Sequence, residues 1–342
     1  LMRGEHHKVA RAYVLYREER KRLRAEKTHE DQPADEGVRE INVTLDDGTL
    51  RALDIQRLRS IVEEACRDLT EVDGAWILDE TRRNLFDGVP EKDVAHALLM
   101  SSRTRIEQEP NYSFVAARLL LDTLRKEALS FLGHARSEAT QAEMADRYSD
   151  YFAEYVKRGA ELELLSGELT RFDLKRLGAA LKPERDLNFN YLGLQTLYDR
   201  YFIHSNNVRF ELPQAFFMRV AMGLSLNEID REGRAIEFYN LLSSFDFMSS
   251  TPTLFNSGTL RPQLSSCYLT TVPDDLDGIY GAIKDNALLS KYAGGLGNDW
   301  TRVRGLGAHI KGTNGKSQGV VPFLKVANDT AVAVNQGGKR LG

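Results

Sequence analysis

The sequence predicts a mainly α chain that becomes α/β toward its C-terminal end. Apolar residues recur at helical spacing through most of the first 246 positions, and extended runs are confined to a short hairpin after Ile41 and to stretches after Ser265. With 42% hydrophobic and 28% charged residues among 342, the chain can bury the cores of two or three domains. No run of eighteen apolar residues occurs, and the opening LMRGEHHKVARAY has no apolar centre. Neither a membrane span nor a signal peptide is therefore expected, and the expected location is cytoplasmic. Two cysteines, Cys66 and Cys267, cannot build a disulfide framework and fit a reducing compartment. A net charge of -4 gives no electrostatic case for a nucleic-acid polymer as partner, and no metal site is expected. The chain starts mid-helix without Met and stops at GGKRLG, so a fragment is expected.

Val9 to Lys27 places Val9, Ala12, Tyr13 and Tyr16 on one face of a basic helix, and the polar stretch Thr28 to Arg39 reads as a linker. INVTLDDGTLRALD gives two extended runs about Asp47-Gly48, a dipeptide that supplies positive φ at low cost. Asp54 is placed to cap a helix whose Leu58, Ile61, Val62, Ala65 and Leu69 share a stripe, with Cys66 at its border in a packing role. Helices follow over Glu91 to Gln108 and Phe114 to Leu129, and Gly133 to Asp246 is predominantly helical, with Pro213 in a first turn.

The run STPTLFNSGTLRPQLSSCYL, Ser250 to Leu269, leads into the strand CYLTTV. Asp274 then reads as the N-cap of a helix with Leu276, Ile279, Tyr280, Ile283 and Ala287 as its buried stripe. Asp275 is left over, as a solvated first-turn acid or a ligand contact. Ala293-Gly294-Gly295-Leu296-Gly297 suits a helix end that lets a ligand approach backbone amides. RGLGAHIKGTNGKSQG, from Arg304, reads as a flexible loop with Lys311 and Lys316 among amide donors, suited to polyphosphate. It is neither a P-loop nor a dinucleotide fingerprint, since Ile310 stands where both need glycine. Gly319 to Val334 forms a helix with Val326, Thr330 and Ala333 on one side, ending in NQGGKR.

Ser250 to Leu269 closely resembles the large, catalytic subunit of ribonucleotide reductases, and the resemblance extends over most of the chain. It implies that residues 247–342 start a ten-stranded α/β barrel with its specificity-effector loops, preceded by a helical domain at 131–246. The hairpin, its helices and NYSFVAARLLLDTLRKEAL resemble an ATP-cone, a helical bundle with a small β-cap, at 41–130. Residues 1–29 resemble the end of a preceding cone, joined by a linker at 30–40. Functional cones carry a basic pair where Leu45 and Asp46 stand and a histidine where Ala95 stands. This second cone is therefore expected to keep its fold and bind nucleotide weakly or not at all.

The same resemblance implies that Cys267 is a redox-active thiol, one of a pair that reduces the ribose and closes to a disulfide. It implies substrate contacts from Thr251, Ser266, Ala293, Gly294 and Gly295, and effector contacts from Asp275, Lys291 and Arg304. Asn335, Gln336, Gly337, Gly338, Lys339 and Arg340 correspond to the loop that couples effector to substrate specificity. The second redox cysteine and the radical cysteine would lie beyond Gly342, so this segment alone is expected to be inactive.

The expected activity is ribonucleoside-diphosphate reduction of the aerobic class. A metal-containing small subunit would supply the radical, thioredoxin or glutaredoxin the reducing equivalents, and ATP, dATP, dTTP or dGTP the allosteric control, in a homodimer or higher oligomer. A cobalamin-dependent reductase and a non-catalytic ATP-cone assembly module are the alternatives.

Overall fold

The computed structural model describes residues 41–45, 48–134, 137–291 and 294–335. The expected N-terminal helix and linker, Asp46, Ala293 and Gln336 to Arg340 lie outside the described residues. The chain divides into two units, one of residues 1–53 and 86–90 and one of the remainder.

In the first unit β1 (Asn42–Thr44) pairs antiparallel with β2 (Leu50–Ala52) and parallel with β3 (Val89–Pro90). The β1–β2 turn closes through Gly48 N–H to Leu45 O and Leu45 N–H to Thr49 O, both 2.9 Å. Gly48 takes φ +81°, the left-handed conformation that the hairpin reading requires.

The second unit opens with α1 (Ile55–Cys66), whose first turn is capped by Asp54 Oδ1 accepting from Arg57 N–H at 2.8 Å. Leu58, Val62 and Ala65 are its buried face. Leu69 falls outside the expected stripe because the helix ends at Cys66 and the chain turns through left-handed Asp68 and Glu71. Then come α2 (Gly74–Asn84), α3 (Glu91–Arg103) and α4 (Tyr112–Phe131).

The large core is built on α5 (Gln141–Glu161), which starts at a capping box formed by Thr140 and Glu143. Its Tyr148, Tyr151, Phe152 and Tyr155 recur at helical spacing, and all are buried with Phe210, Phe216 and Phe217. Each contributes roughly 1.5–3 kcal/mol by burial. The hydroxyls are all satisfied: Tyr148 donates to Asp186 Oδ2 at 3.0 Å, Tyr151 to Phe210 O at 2.6 Å and Tyr155 to Glu211 Oε1 at 2.5 Å. Next in the chain, α6 (Leu174–Ala179) packs on α5, α7 (Tyr191–Arg200) and the hairpin β4 (His204–Ser205) with β5 (Val208–Arg209) pack on α4, and α8 (Pro213–Ser225) packs against α9 (Arg231–Ser243). Pro213 occupies the first turn of α8, where its missing N–H costs nothing.

After the short α10 (Thr251–Asn256), β6 (Cys267–Thr271) and β7 (Gly295–Asp299) pair in parallel, joined by α11 (Leu276–Ser290). This is a βαβ unit, as expected for the start of an α/β barrel. Next come the antiparallel β8 (Leu306–Ile310) and β9 (Gly315–Gln318), then α12 (Val321–Asn335). Val272, Ile279, Ala282 and Ile283 form a second small core, against which Phe323 and Ala327 of α12 pack.

Four local expectations are corrected. The buried face of α11 is Ile279, Ala282 and Ile283, while Leu276 and Tyr280 are 66% and 53% exposed. On α12 it is Phe323 and Ala327 that pack inward, leaving Val326 and Ala333 exposed. Gly295 to Asp299 is a strand rather than a helix end, because its backbone is claimed by the ladder to β6. The stretch after Arg304 is a hairpin rather than a loose loop, turning through Asn314 at φ +53°. No helix among the described residues is long and apolar enough to cross a membrane.

Candidate functional site

Cys267 is the first residue of β6 and is exposed. It pairs with Gly295, and Gly295 N–H donates to Ser266 O at 2.6 Å, so the β6–β7 ladder begins at the cysteine. Ser266 Oγ lies 3.7 Å from Cys267 Sγ. A Cβ on Gly295 would stand 3.0 Å from Ser266 O, and one on Gly294 would meet the Tyr268 ring at 2.9 Å and Leu289 O at 3.1 Å. These two glycines are explained by close approach of strand and helix end. The structure thus brings Ser266, Cys267, Gly294 and Gly295 together.

Thr251 is held by a different set of contacts, at the start of its own helix. Its hydroxyl lies 3.0 Å from Tyr201 OH, and the Tyr201 ring stacks on Phe255 with centroids 4.5 Å apart. Thr251 is the first residue of α10. Side chains further along α10 hold the approach to the cysteine: Thr253 Oγ1 donates to Leu264 O at 3.2 Å and Asn256 Nδ2 to Gln263 O at 2.8 Å.

At the far end of β6 the two acids exchange the roles expected for them. Asp275 is the N-cap of α11, its Oδ1 accepting from Gly278 N–H at 2.8 Å. Asp274 instead binds Arg304: the guanidinium Nε donates to both carboxylate oxygens at 3.0 and 2.9 Å, and the Arg304 backbone N–H to Oδ1 at 3.0 Å. These bonds hold the Asp274 carboxyl below its ordinary value of 3.8. Lys291 is the C-cap of α11. The fifteen residues of α11 separate it from Asp275, roughly 24 Å. One copy of the chain therefore brings Asp275 and Arg304 to one end of α11 and Lys291 to the other. Asn335 ends α12, and Ala293 and Gln336 to Arg340 lie outside the described residues.

The second cysteine differs in kind. Cys66 is half-buried at the end of α1, and burial pushes its thiol up to about 11, against a smaller opposing effect of Arg118. It lines a cavity of about 630 Å³ between α1 and α2, together with Arg59, Arg67 and Arg82. Helix α2 and this cavity are features that the periodicity of the sequence does not announce. Among the described residues no group of three His, Cys, Asp or Glu side chains is placed to hold a metal ion.

Comparison with known proteins bears directly on this arrangement. Family models describing the ribonucleotide reductase all-alpha domain and barrel domain match residues 187–262 and 265–342. The whole chain is 50% identical to the ribonucleoside-diphosphate reductase subunit alpha of Chlamydia muridarum and 48% identical to that of Chlamydia trachomatis, covering 32% of each relative's length. The subunit alpha of Helicobacter pylori is 39% identical over 88% of this chain and 37% of its own length. The chain thus spans about a third of the curated relatives it matches. On the all-α domain, the parallel pair that begins at Cys267, and these matches, the chain belongs to the ribonucleotide reductase large-subunit family.

Proposed function

We propose that this chain works as part of a ribonucleoside-diphosphate reductase, with Cys267 as one of two thiols that reduce the ribose. The observation that carries this reading is the exposed thiol at the first rung of the β6–β7 ladder, beside a serine hydroxyl and two closely packed glycines. Replacing a ribose 2'-hydroxyl by hydrogen consumes two electrons and two protons and releases water. Two thiols supply both, closing to one disulfide. The partner thiol and the radical-bearing cysteine belong to parts of the enzyme other than this segment. Thr251, Ser266, Ala293, Gly294 and Gly295 would contact substrate.

The remaining assignments follow from the same reading. Asp275 and Arg304 would hold an effector nucleoside triphosphate at the N-terminus of α11, and Asn335 to Arg340 would relay its identity to the substrate pocket. Lys291 joins them only if α11 packs antiparallel against its counterpart in a homodimer, which sets opposite ends of the two helices side by side. Leu276, Tyr280 and Leu288, exposed at four- and eight-residue spacing on α11, supply an apolar face for that contact. Residues 41–130 would be an ATP-cone that keeps its fold without tight nucleotide binding, following the remnant of another cone at 1–29. Partners would be a metal-containing radical-generating small subunit and a thioredoxin or glutaredoxin, in the cytoplasm, with ATP, dATP, dTTP and dGTP as effectors.

The test is Cys267→Ser in the full-length enzyme, assayed with its radical-generating subunit and a dithiol reductant. Loss of multi-turnover reduction, with the dTTP-induced thermal shift intact, supports the reading. Retained multi-turnover reduction removes it.

A further inference from the structure

Resting on that reading, we infer that the buried Glu211–Arg219 pair positions the Cys267 segment by way of α10, with Thr253 and Asn256 as its last links. Arg219 and Glu211 are both fully buried, and their charges face each other with Arg219 Nε donating to Glu211 Oε1 at 2.7 Å. The carboxylate is held from two further sides, accepting from Tyr155 OH at 2.5 Å and from Ile203 N–H at 2.8 Å. Nη2 also donates to Glu211 Oε2 at 3.4 Å, and both terminal guanidinium nitrogens reach beyond the pair. Nη1 donates to Ser257 O at 2.6 Å and Nη2 to Leu254 O at 3.2 Å, both carbonyls at the C-terminal end of α10. Those carbonyls belong to the group that a helix leaves without intrahelical partners, and α10 is too short to satisfy them itself.

The junction is tight as well as charged. Ser257 Oγ donates to Val220 O at 2.7 Å, and a Cβ on Gly223 would stand 2.2 Å from Gly258 N, so no side chain fits between α8 and the end of α10. Gly258, at φ +77°, turns the chain away, and its carbonyl accepts from Ser166 N–H at 2.9 Å. The segment from Ser257 to Ser266 carries no helix or strand of its own. It is returned to α10 by Thr253 on Leu264 O and Asn256 on Gln263 O, immediately before Ser265, Ser266 and Cys267. A thiol that must meet a sugar hydroxyl in a fixed geometry needs such support, because displacement by about 1 Å costs on the order of a hundredfold in rate.

Arg219 is a positioning residue in this account, as are Thr253 and Asn256, which are half-buried and whose loss spares the buried charges. The test therefore uses Thr253→Val and Asn256→Ala in the full-length enzyme with its radical-generating subunit, beside Thr253→Ser and Cys267→Ser. Expected are a fall in kcat of about tenfold for each of Thr253→Val and Asn256→Ala, recovery in Thr253→Ser, and an unchanged unfolding midpoint and dTTP-induced thermal shift. Wild-type kcat in both Thr253→Val and Asn256→Ala would overturn the inference. So would losses that track a lowered unfolding midpoint. If Cys267→Ser abolishes turnover while those two variants do not, only the positioning inference fails. If Cys267→Ser retains turnover, the underlying reading fails with it.

Discussion

Asp274 and Arg304, thirty residues apart, are joined by four hydrogen bonds: the Arg304 backbone N–H and its Nε reach the Asp274 carboxylate at 2.9–3.0 Å, the Nε N–H shared between both oxygens, and Nη2 donates to Asp274 O at 3.3 Å. The pair ties the β6–α11 connection to the entry of the β8–β9 hairpin. Asp274→Ala is expected to raise amide exchange at Arg304 by about tenfold and to speed tryptic cleavage there, read by hydrogen-exchange mass spectrometry and limited proteolysis. Because the folded-state carboxyl lies below its ordinary 3.8, the folded protein binds fewer protons than the unfolded chain near that pH. The contribution is present above that value and is lost as pH falls through the lower folded one. Unchanged exchange at Arg304 in the variant would count against the tie.

The two cysteines should separate cleanly by reactivity. With its thiol pushed up to about 11, Cys66 is a thiolate in only about one molecule in a thousand at pH 8, and it is half-buried besides. Cys267 is exposed. Iodoacetamide at pH 8 should label Cys267 at least tenfold faster, and the Cys66 rate should climb about tenfold per pH unit up to 10. Equal labelling of both in the native protein would contradict this.

Asp186 is buried, and burial raises its carboxyl from 3.8 to about 6, against hydrogen bonds from Gln214 Nε2 at 2.7 Å and Tyr148 OH at 3.0 Å. Between those two pH values the folded state binds the extra proton. Stability from this group is therefore full below about pH 4 and is lost as pH rises through about 6, on the order of 3 kcal/mol in all. Asp186→Asn should flatten that part of the profile. Urea unfolding at pH 5 and pH 7.5, in wild type and variant, reads the difference; the same pH slope in both would refute the assignment.

Gly295→Ala places a Cβ 3.0 Å from Ser266 O, and Gly294→Ala places one 2.9 Å from the Tyr268 ring. Each should cost about 1–3 kcal/mol in urea unfolding. Gly281→Ala, whose Cβ meets nothing within 4 Å on α11, is the control and should be neutral or stabilising. Equal stability across the three would show that the close approach does not constrain these positions.

Much of the fold is legible because its signals are local. Gly48 at positive φ, Asp54 as a cap, Pro213 in a first turn and the strand that begins at Cys267 each need only a few neighbouring residues. The misread positions depend on distant partners. Asp274 and Asp275 are equally good caps by sequence, and the choice between them is made by Arg304. Leu276 and Tyr280 belong to an apolar repeat on α11, yet the small core forms on Ile279, Ala282 and Ile283, leaving them exposed. Gly295 to Gly297 carries almost no side-chain pattern, so only the ladder to β6 makes it a strand. The Glu211–Arg219 pair was invisible for the same reason: spacing along α8 cannot say that a guanidinium reaches the carbonyls of α10.

The role of Cys267 is tested most directly by following its oxidation state through one turnover. The pre-reduced full-length enzyme is mixed with its radical-generating subunit and a ribonucleoside diphosphate without external reductant, quenched, alkylated and mapped by mass spectrometry. The account predicts a disulfide between Cys267 and a second cysteine of the enzyme, formed in step with deoxyribonucleotide and in equal amount. Deoxyribonucleotide appearing while Cys267 stays fully alkylatable would contradict it.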